Sequence, residues 1–294
     1  MAPILVLGEA LVDEFHDGHV AGGAPFNVAR SLAVLAVPVR FVSRIGAKDA
    51  AGRLLLDSAA RFGLAVDGIQ RDAAHATGRV SVREEAGSHR FEIHADAAWD
   101  HIEASAGHDT GIVYFGSLAQ RHAASRAAIR ATVKRAPGPR FLDLNLRPGT
   151  DTPELAAESL MLADWVKLNE DELGSLLAWF EPTLPALMAR FALQGVVLTR
   201  GAAGCALHGE HGRLLAEAPG VAQPGFVDSV GAGDAFTAML LGGMALGRDP
   251  GATLRLANRY AAMICGVRGP LPADPATLAP WREALHALPA EDRA

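Results

Sequence analysis

The sequence predicts an α/β protein: a mainly parallel sheet covered on both faces by helices, with a small antiparallel flap at its edge. Three observations predict it. Short, continuous apolar runs recur along the chain, the mark of strands buried on both faces. Helix-spaced segments alternate with them, which is the rhythm of β-α-β units. Residues 79–94 break that rhythm with apolar–polar alternation, the pattern of a half-exposed hairpin.

Residues 4–7 open the chain as a buried strand. Residues 27–37 carry helical spacing, 39–43 form the next strand, and 49–62 read as a helix closed by Gly63. Residues 79–83 and 90–94 then alternate about a turn candidate at 85–88. Beyond the flap come strands at 112–115, 140–144, 165–168 and 196–199, with helices at 122–135 and 153–162 between them. A second hairpin pairs 205–208 with 213–216 and turns at 209–212. Helices at 235–246, 252–265 and 280–288 close the chain. No repeat, low-complexity tract or interdomain linker interrupts it, so residues 1–294 are expected to form one domain.

With 294 residues, 50% of them hydrophobic and 20% charged, the chain is long enough for one large core. A net charge of −6 argues against a nucleic-acid partner. No apolar run reaches the ~20 residues of a membrane span. The N-terminus reads as a strand, not a signal peptide, so a cytoplasmic protein without a membrane partner is expected. Cys205 and Cys265 are too few for a disulfide framework or a cysteine zinc site, and read as small buried apolar residues.

The chemistry concentrates in Asp228-Ser229-Val230-Gly231-Ala232-Gly233-Asp234-Ala235-Phe236. Two glycines and a carboxylate precede a long apolar helix. Helix N-termini carry unpaired N–H groups and a positive dipole end, so they attract anions. Gly231 and Gly233 let the backbone approach one closely. Asp234 would repel that anion, unless its task is to take a proton from a hydroxyl beside it, as in phosphoryl transfer. A dipole-complementing Asp in a first helical turn is the plainer reading of the same letters. The third glycine of a dinucleotide fingerprint is missing, and no Gly-Lys-Ser/Thr of a Walker loop occurs.

Other polar clusters follow predicted strands, where open α/β sheets bind ligands: Glu9 and Asp13; Asp143, Asn145 and Arg147; Lys167, Asn169 and Glu172; Thr199 and Gly201. Gly22-Gly23-Ala24-Pro25-Phe26-Asn27 would admit a polyol closely, and equally forms an ordinary capped turn. Asn169 and Glu172 have capping-box spacing, and also suit Mg²⁺ held through its waters. A buried Arg147 would offset phosphate charge. His208-Gly209-Glu210-His211 reads as a surface turn rather than a metal pair.

On these segments the chain resembles the ribokinase-like, or PfkB, family of carbohydrate kinases, most like its fructokinases. Gly22-Gly23-Ala24-Pro25-Phe26-Asn27-Val28-Ala29 is similar to the family's N-terminal signature, and the 228–236 segment to its C-terminal one. The likeness continues through Gly46-Ala47-Lys48-Asp49 with Gly52, Asp143-Leu144-Asn145-Leu146-Arg147, Lys167-Leu168-Asn169-Glu170-Asp171-Glu172 and Thr199-Arg200-Gly201-Ala202-Ala203-Gly204. The resemblance implies a three-layer α/β/α body with a small β-sheet lid from about 12–20 and 78–95. It implies Asp234 as base and Gly231, Ala232 and Gly233 as anion hole. Asp13, Gly22, Gly23, Asn27 and Arg147 fall on the substrate side. Lys167, Asn169, Thr199, Gly201, Gly204 and Asn258 fall on the nucleotide side. Glu172 is assigned to Mg²⁺ through water, and Asp228 with the 265–269 turn to K⁺. ATP, Mg²⁺ and a small sugar are the implied ligands. Open lid edges could pair two copies.

The signature form Gly-Gly-Ala-Pro, with Glu9-Ala10-Leu11-Val12-Asp13 and Cys265-Gly266-Val267-Arg268-Gly269, points to fructose. Ser229 keeps the hydroxyl of the commoner Thr. Pro148-Gly149-Thr150 replaces a Trp-containing continuation, and the lid sequence 91–99 is individual. Kinases for 2-keto-3-deoxygluconate, ribose or a nucleoside are the alternatives. An acidic sugar would need a lid cation such as Arg79, Arg83 or Arg90. A non-catalytic regulator would be expected to lack Asp234 or the glycines.

Overall fold

A computed structural model describes residues 1–16, 18–85, 88–105, 110–147, 152–223 and 225–291. Strand β1 (Ile4–Leu7) is apolar at every position because it lies between two layers. Ile4 and Val6 join one core and Leu5 and Leu7 the other, as the two-residue period of a strand requires. The chain turns aside into β2 (Leu11–Phe15) and β3 (Gly18–Gly22), then forms helix α1 (Ala24–Val34). Next come β4 (Val39–Gly46), α2 (Ala50–Arg61) and β5 (Ile69–Asp72). β6 (Gly78–Glu85) and β7 (Ser88–Ile93) leave the main sheet a second time. The alternation resumes with β8 (Val113–Gly116), α3 (Ala123–Arg135), β9 (Arg140–Asp143) and α4 (Pro153–Leu160). β10 (Trp165–Asn169), α5 (Glu170–Trp179), α6 (Leu184–Phe191) and β11 (Gly195–Thr199) continue it. β12 (Cys205–His208), β13 (Leu214–Ala218), α7 (Ala232–Ala245), α8 (Pro250–Ile264) and α9 (Ala279–Ala287) complete the chain.

The main sheet has nine strands in the order β13-β12-β11-β10-β9-β8-β1-β4-β5. Its pairs are parallel except β11–β12 and β12–β13 at one edge. α1, α2, α7, α8 and α9 cover one face and α3 to α6 the other, giving three layers with a core on each side. The second sheet has four strands in the order β3-β2-β6-β7, with β2 and β6 parallel. Its own buried cluster is small, Leu11 and Val80 against Phe15 and Ile93. Among the described residues, no helix is long and apolar enough to cross a membrane.

The predicted strands and helices recur with shifted ends. α1 begins at Ala24 rather than residue 27, because Pro25 suits a first helical turn. α7 begins at Ala232 rather than 235, with Gly231 as its cap. α2 is capped as its sequence suggests, Gly52 N donating to Asp49 Oδ1 at 2.6 Å. β5 and α6 were not anticipated, and of α5 only the capping box at its start was. β5, Ile-Gln-Arg-Asp, is an edge strand with no apolar run, α5 has only a weak apolar period, and α6, begun by the Thr183 cap, was passed over despite its amphipathic face. Cys205 is fully buried, whereas Cys265 is half-buried, contrary to expectation. The turn residues 86–87 and the departures at 148–150 lie outside the described residues.

Candidate active site

The carboxyl ends of β9 and β10 reach the N-terminal turn of α7 through Asp143 and Lys167, beside the glycine segment 228–236. Gly231 has φ 77°, and a Cβ there would lie 2.5 Å from Pro270 Cα, so only glycine fits. Asp234 follows in the first turn of α7. The Ala232 N–H already donates to Ser229 O at 3.2 Å, so this amide must change partner to meet an anion.

Asn27 Nδ2 donates to Asp234 Oδ2 at 2.7 Å. Its other amide atom, Oδ1, accepts from Arg30 Nη2 at 2.5 Å. Arginine has no acceptor, so this contact fixes which way the Asn27 amide faces and obliges its NH₂ to face Asp234. Arg30 is anchored in turn by Ala21 O at 3.0 Å and Ser58 Oγ at 2.7 Å. Its guanidinium also lies 4.4 Å from the Phe26 ring centroid. The chain of contacts occupies Asp234 Oδ2. Among the described residues it leaves Oδ1 available for an incoming hydroxyl.

Three carboxyls crowd the cleft. Loss of solvent pushes Asp234 up to about 6; the Asn27 bond opposes this and the Asp143 charge reinforces it. Asp13 rises to about 6 by burial, against the pull of Arg147. Glu9 rises to about 7, again by burial. Glu9 is 3% exposed, and its Oε2 has no partner among the described residues. The positive end of α7 favours the ionised form of Asp234, but desolvation outweighs it. Such neighbours titrate as a coupled set. Arg147 is exposed rather than buried as expected, because it stands past the end of β9. Its charge nevertheless reaches all three acids. Gly22 has its reason here: a Cβ would lie 2.2 Å from Asp13 Oδ2. Gly23, at φ 102°, caps α1.

Below α7, Lys167 Nζ donates to both Asp143 oxygens, at 2.8 and 2.9 Å. Burial works against the Lys167 charge, but Asp143 and Glu172 outweigh it and raise its pKa. Thr237 Oγ1 lies within reach of Asp143 Oδ2 and Gly233 O. The pair therefore supports the floor of the glycine segment.

Asn169 and Glu172 form the capping box their spacing suggests. Glu172 N donates to Asn169 Oδ1, and Asn169 N to Glu172 Oε2, each at 2.8 Å. Glu172 Oε1 accepts from Leu146 N at 2.9 Å, which ties β9's exit to α5. With both oxygens holding amides, Glu172 does not fit as a direct Mg²⁺ ligand. A lone pair left on each oxygen fits a metal-bound water. Asp228 accepts from Val230 N at 2.8 Å and Gly269 N at 3.4 Å, joining the segment before α7 to the 265–269 turn. Each oxygen keeps a lone pair, and the long contact to Gly269 leaves Oδ2 the freer of the two for a cation.

Thr199 Oγ1 donates to Leu168 O at 3.3 Å. Gly201 is exposed in the turn after β11, and Gly204 packs on the Ala218 and Gly220 backbone. Asn258 Nδ2 donates to Pro219 O at 3.0 Å, holding the end of β13. These residues lie on the β11–β13 side of the sheet, away from Asp13 and Gly22. His211 lies exposed in the turn between β12 and β13 as read, while His208 ends β12 with Nδ1 3.1 Å from Gly212 O.

Sequence reasoning passed over Arg30 and Thr237, and left Glu9 without a role. Arg30 had a signal: a lone cation one turn after Asn27 in an apolar helix. Thr237 had the weaker one of following Asp234 by three residues.

A parallel α/β/α sheet, a small sheet over its carboxyl edge and a carboxylate at a glycine-lined helix start together define a phosphotransferase-type site. The chain matches the pfkB family of carbohydrate kinases over residues 5–277 and belongs to it. It is 31% identical to the fructokinase of Klebsiella pneumoniae over 306 residues, covering 96% of this chain and 98% of that one. The fructokinase of Xylella fastidiosa with bound ATP superposes with a TM-score of 0.81 at 27% identity, covering 98% of this chain and 95% of that one. A Vibrio cholerae O395 fructokinase double mutant, bound to fructose, ADP and potassium ion, gives a TM-score of 0.76 at 26% identity, covering 96% and 98%. The chain is thus an ATP-dependent sugar kinase.

Proposed function

We propose that this kinase phosphorylates fructose on its terminal hydroxyl, with Asp234 as the base. The observation that carries the proposal is Asp234 itself, set in the first turn of α7 and oriented by the Arg30–Asn27 pair. The sugar oxygen forms a bond to the γ-phosphorus while the bond from that phosphorus to the bridging oxygen breaks. The proton passes to Asp234 and ADP leaves. Gly231, Ala232 and Gly233 offer amides to the transferring group. Asp13, Gly22, Gly23 and Asn27 bound the sugar side, and Arg147 supplies positive charge at its rim. Lys167 acts from beneath, through Asp143. Asn169, Thr199, Gly201, Gly204 and Asn258 border the nucleotide. Bound Mg²⁺ would spread the phosphate charge, with Glu172 accepting from one of its waters. K⁺ would sit where Asp228 joins the two loops.

Residues 1–294 are read as one kinase domain with the four-stranded sheet as its lid. Lid edges β3 and β7 are the surfaces on which two copies would pair; sedimentation velocity tests this, and a monomer at all concentrations removes it. The test of function is ADP release with Mg²⁺-ATP, with and without K⁺, across fructose, ribose, 2-keto-3-deoxygluconate, tagatose and adenosine. Turnover confined to fructose supports the reading. Turnover on another member keeps the chemistry and moves specificity to the lid. Silence across the panel with ATP bound removes the fructose assignment.

A further inference from the structure

A cavity of about 610 Å³ opens between α2, β3 and the loop 268–273. It touches none of Asp13, Gly22, Gly23, Asn27 or Asp234. Its volume is that of a small-molecule site. Arg30, Arg53, Arg61 and Arg268 line it against a single acid, Asp57. In a chain of net charge −6 this local excess of arginine calls for an anionic occupant.

Arg30 belongs to both places. It is 3% exposed, yet its Nε has no hydrogen-bond partner among the described residues. Burial pulls its pKa down to about 9 despite the charges of Asp234 and Asp13, so a further counter-charge would relieve it. One end of its guanidinium donates to Ser58 Oγ, which also lines the cavity, and the other to Asn27. Forked donors on several walls match the oxygens of a phosphate dianion better than a carboxylate, which one guanidinium satisfies.

We propose that this cavity binds a small phosphate monoester as an effector, held by Arg53, Arg61 and Arg268 and sensed at Asp234 through Arg30 and Asn27. The probes are inorganic phosphate and glycerol 3-phosphate, titrated by calorimetry into protein saturated with Mg²⁺ and a non-hydrolysable ATP analogue. The analogue fills the α7 anion hole, so the remaining anion binding reads the cavity. One site is expected, weakened about tenfold or more in Arg53→Gln/Arg61→Gln. Both positions are exposed, and circular dichroism checks that the variant folds. No binding beside the analogue, or equal affinity in the variant, overturns the proposal. Tighter binding of glycerol 3-phosphate supports the ester, while the reverse order overturns that part and assigns inorganic phosphate. Bound anion should change turnover in the wild type and not in the variant; unchanged wild-type turnover overturns the link to Asp234.

Discussion

Asp234 is held by one hydrogen bond and made less acidic by burial, and both facts have kinetic consequences. Asp234→Asn should keep ATP and sugar affinity but lower kcat by about 10²–10⁴-fold. Near-normal turnover would remove it from the mechanism. As the proposed base Asp234 would act in its ionised form, and burial lifts its pKa from 3.8 to about 6. As pH falls through that value kcat/KM should drop about tenfold per unit, with a plateau above. A profile flat down to pH ~4.5 would mean that another group limits the rate. Glu9 and Asp13, also raised, will broaden the limb rather than move it away.

Helix starts and strand ends place these groups. At the start of α7, Gly231→Ala forces a Cβ to within 2.5 Å of the Pro270 backbone at a φ of 77°. A loss of about 1–3 kcal/mol from backbone strain is expected, with a larger fall in kcat than in stability. Thermal melting beside steady-state kinetics separates the two. At the ends of β9 and β10, Lys167→Met would leave Asp143 buried without its counter-charge. Removing one partner of such a pair typically costs about 3–5 kcal/mol, measurable by urea unfolding. A cost under about 1 kcal/mol would mean that water enters and screens Asp143.

Across the whole molecule, the two sheets differ in how much core they own. The nine-stranded sheet has a core on each face, whereas the four-stranded one buries little beyond Leu11 and Val80. The small sheet should therefore open locally at low free energy. Amides paired between β2 and β6, the inner strands of the small sheet, are expected to exchange faster than those of β1 in the free protein and to slow when sugar and nucleotide bind. Exchange as slow as that of β1 without ligand would mean that the small sheet is already locked.

Much of this was legible in residue order. The apolar runs at 4–7 and 196–199 specify buried strands because they alternate between two cores. The segment 228–236 specifies a glycine-capped helix start because few residues other than glycine tolerate the backbone at Gly231. Elements without a strong period, such as β5 and α5, were not legible, since neighbours rather than local pattern decide them. The sequence by itself determined the fold class, the glycine segment and Asp234. Only the tertiary structure decided that Arg30 orients Asn27 toward Asp234, that Glu172 spends its oxygens on amides, and that four arginines share a cavity. Those facts depend on distances between residues far apart in the chain, and on water excluded from between them, which no spacing along a sequence records.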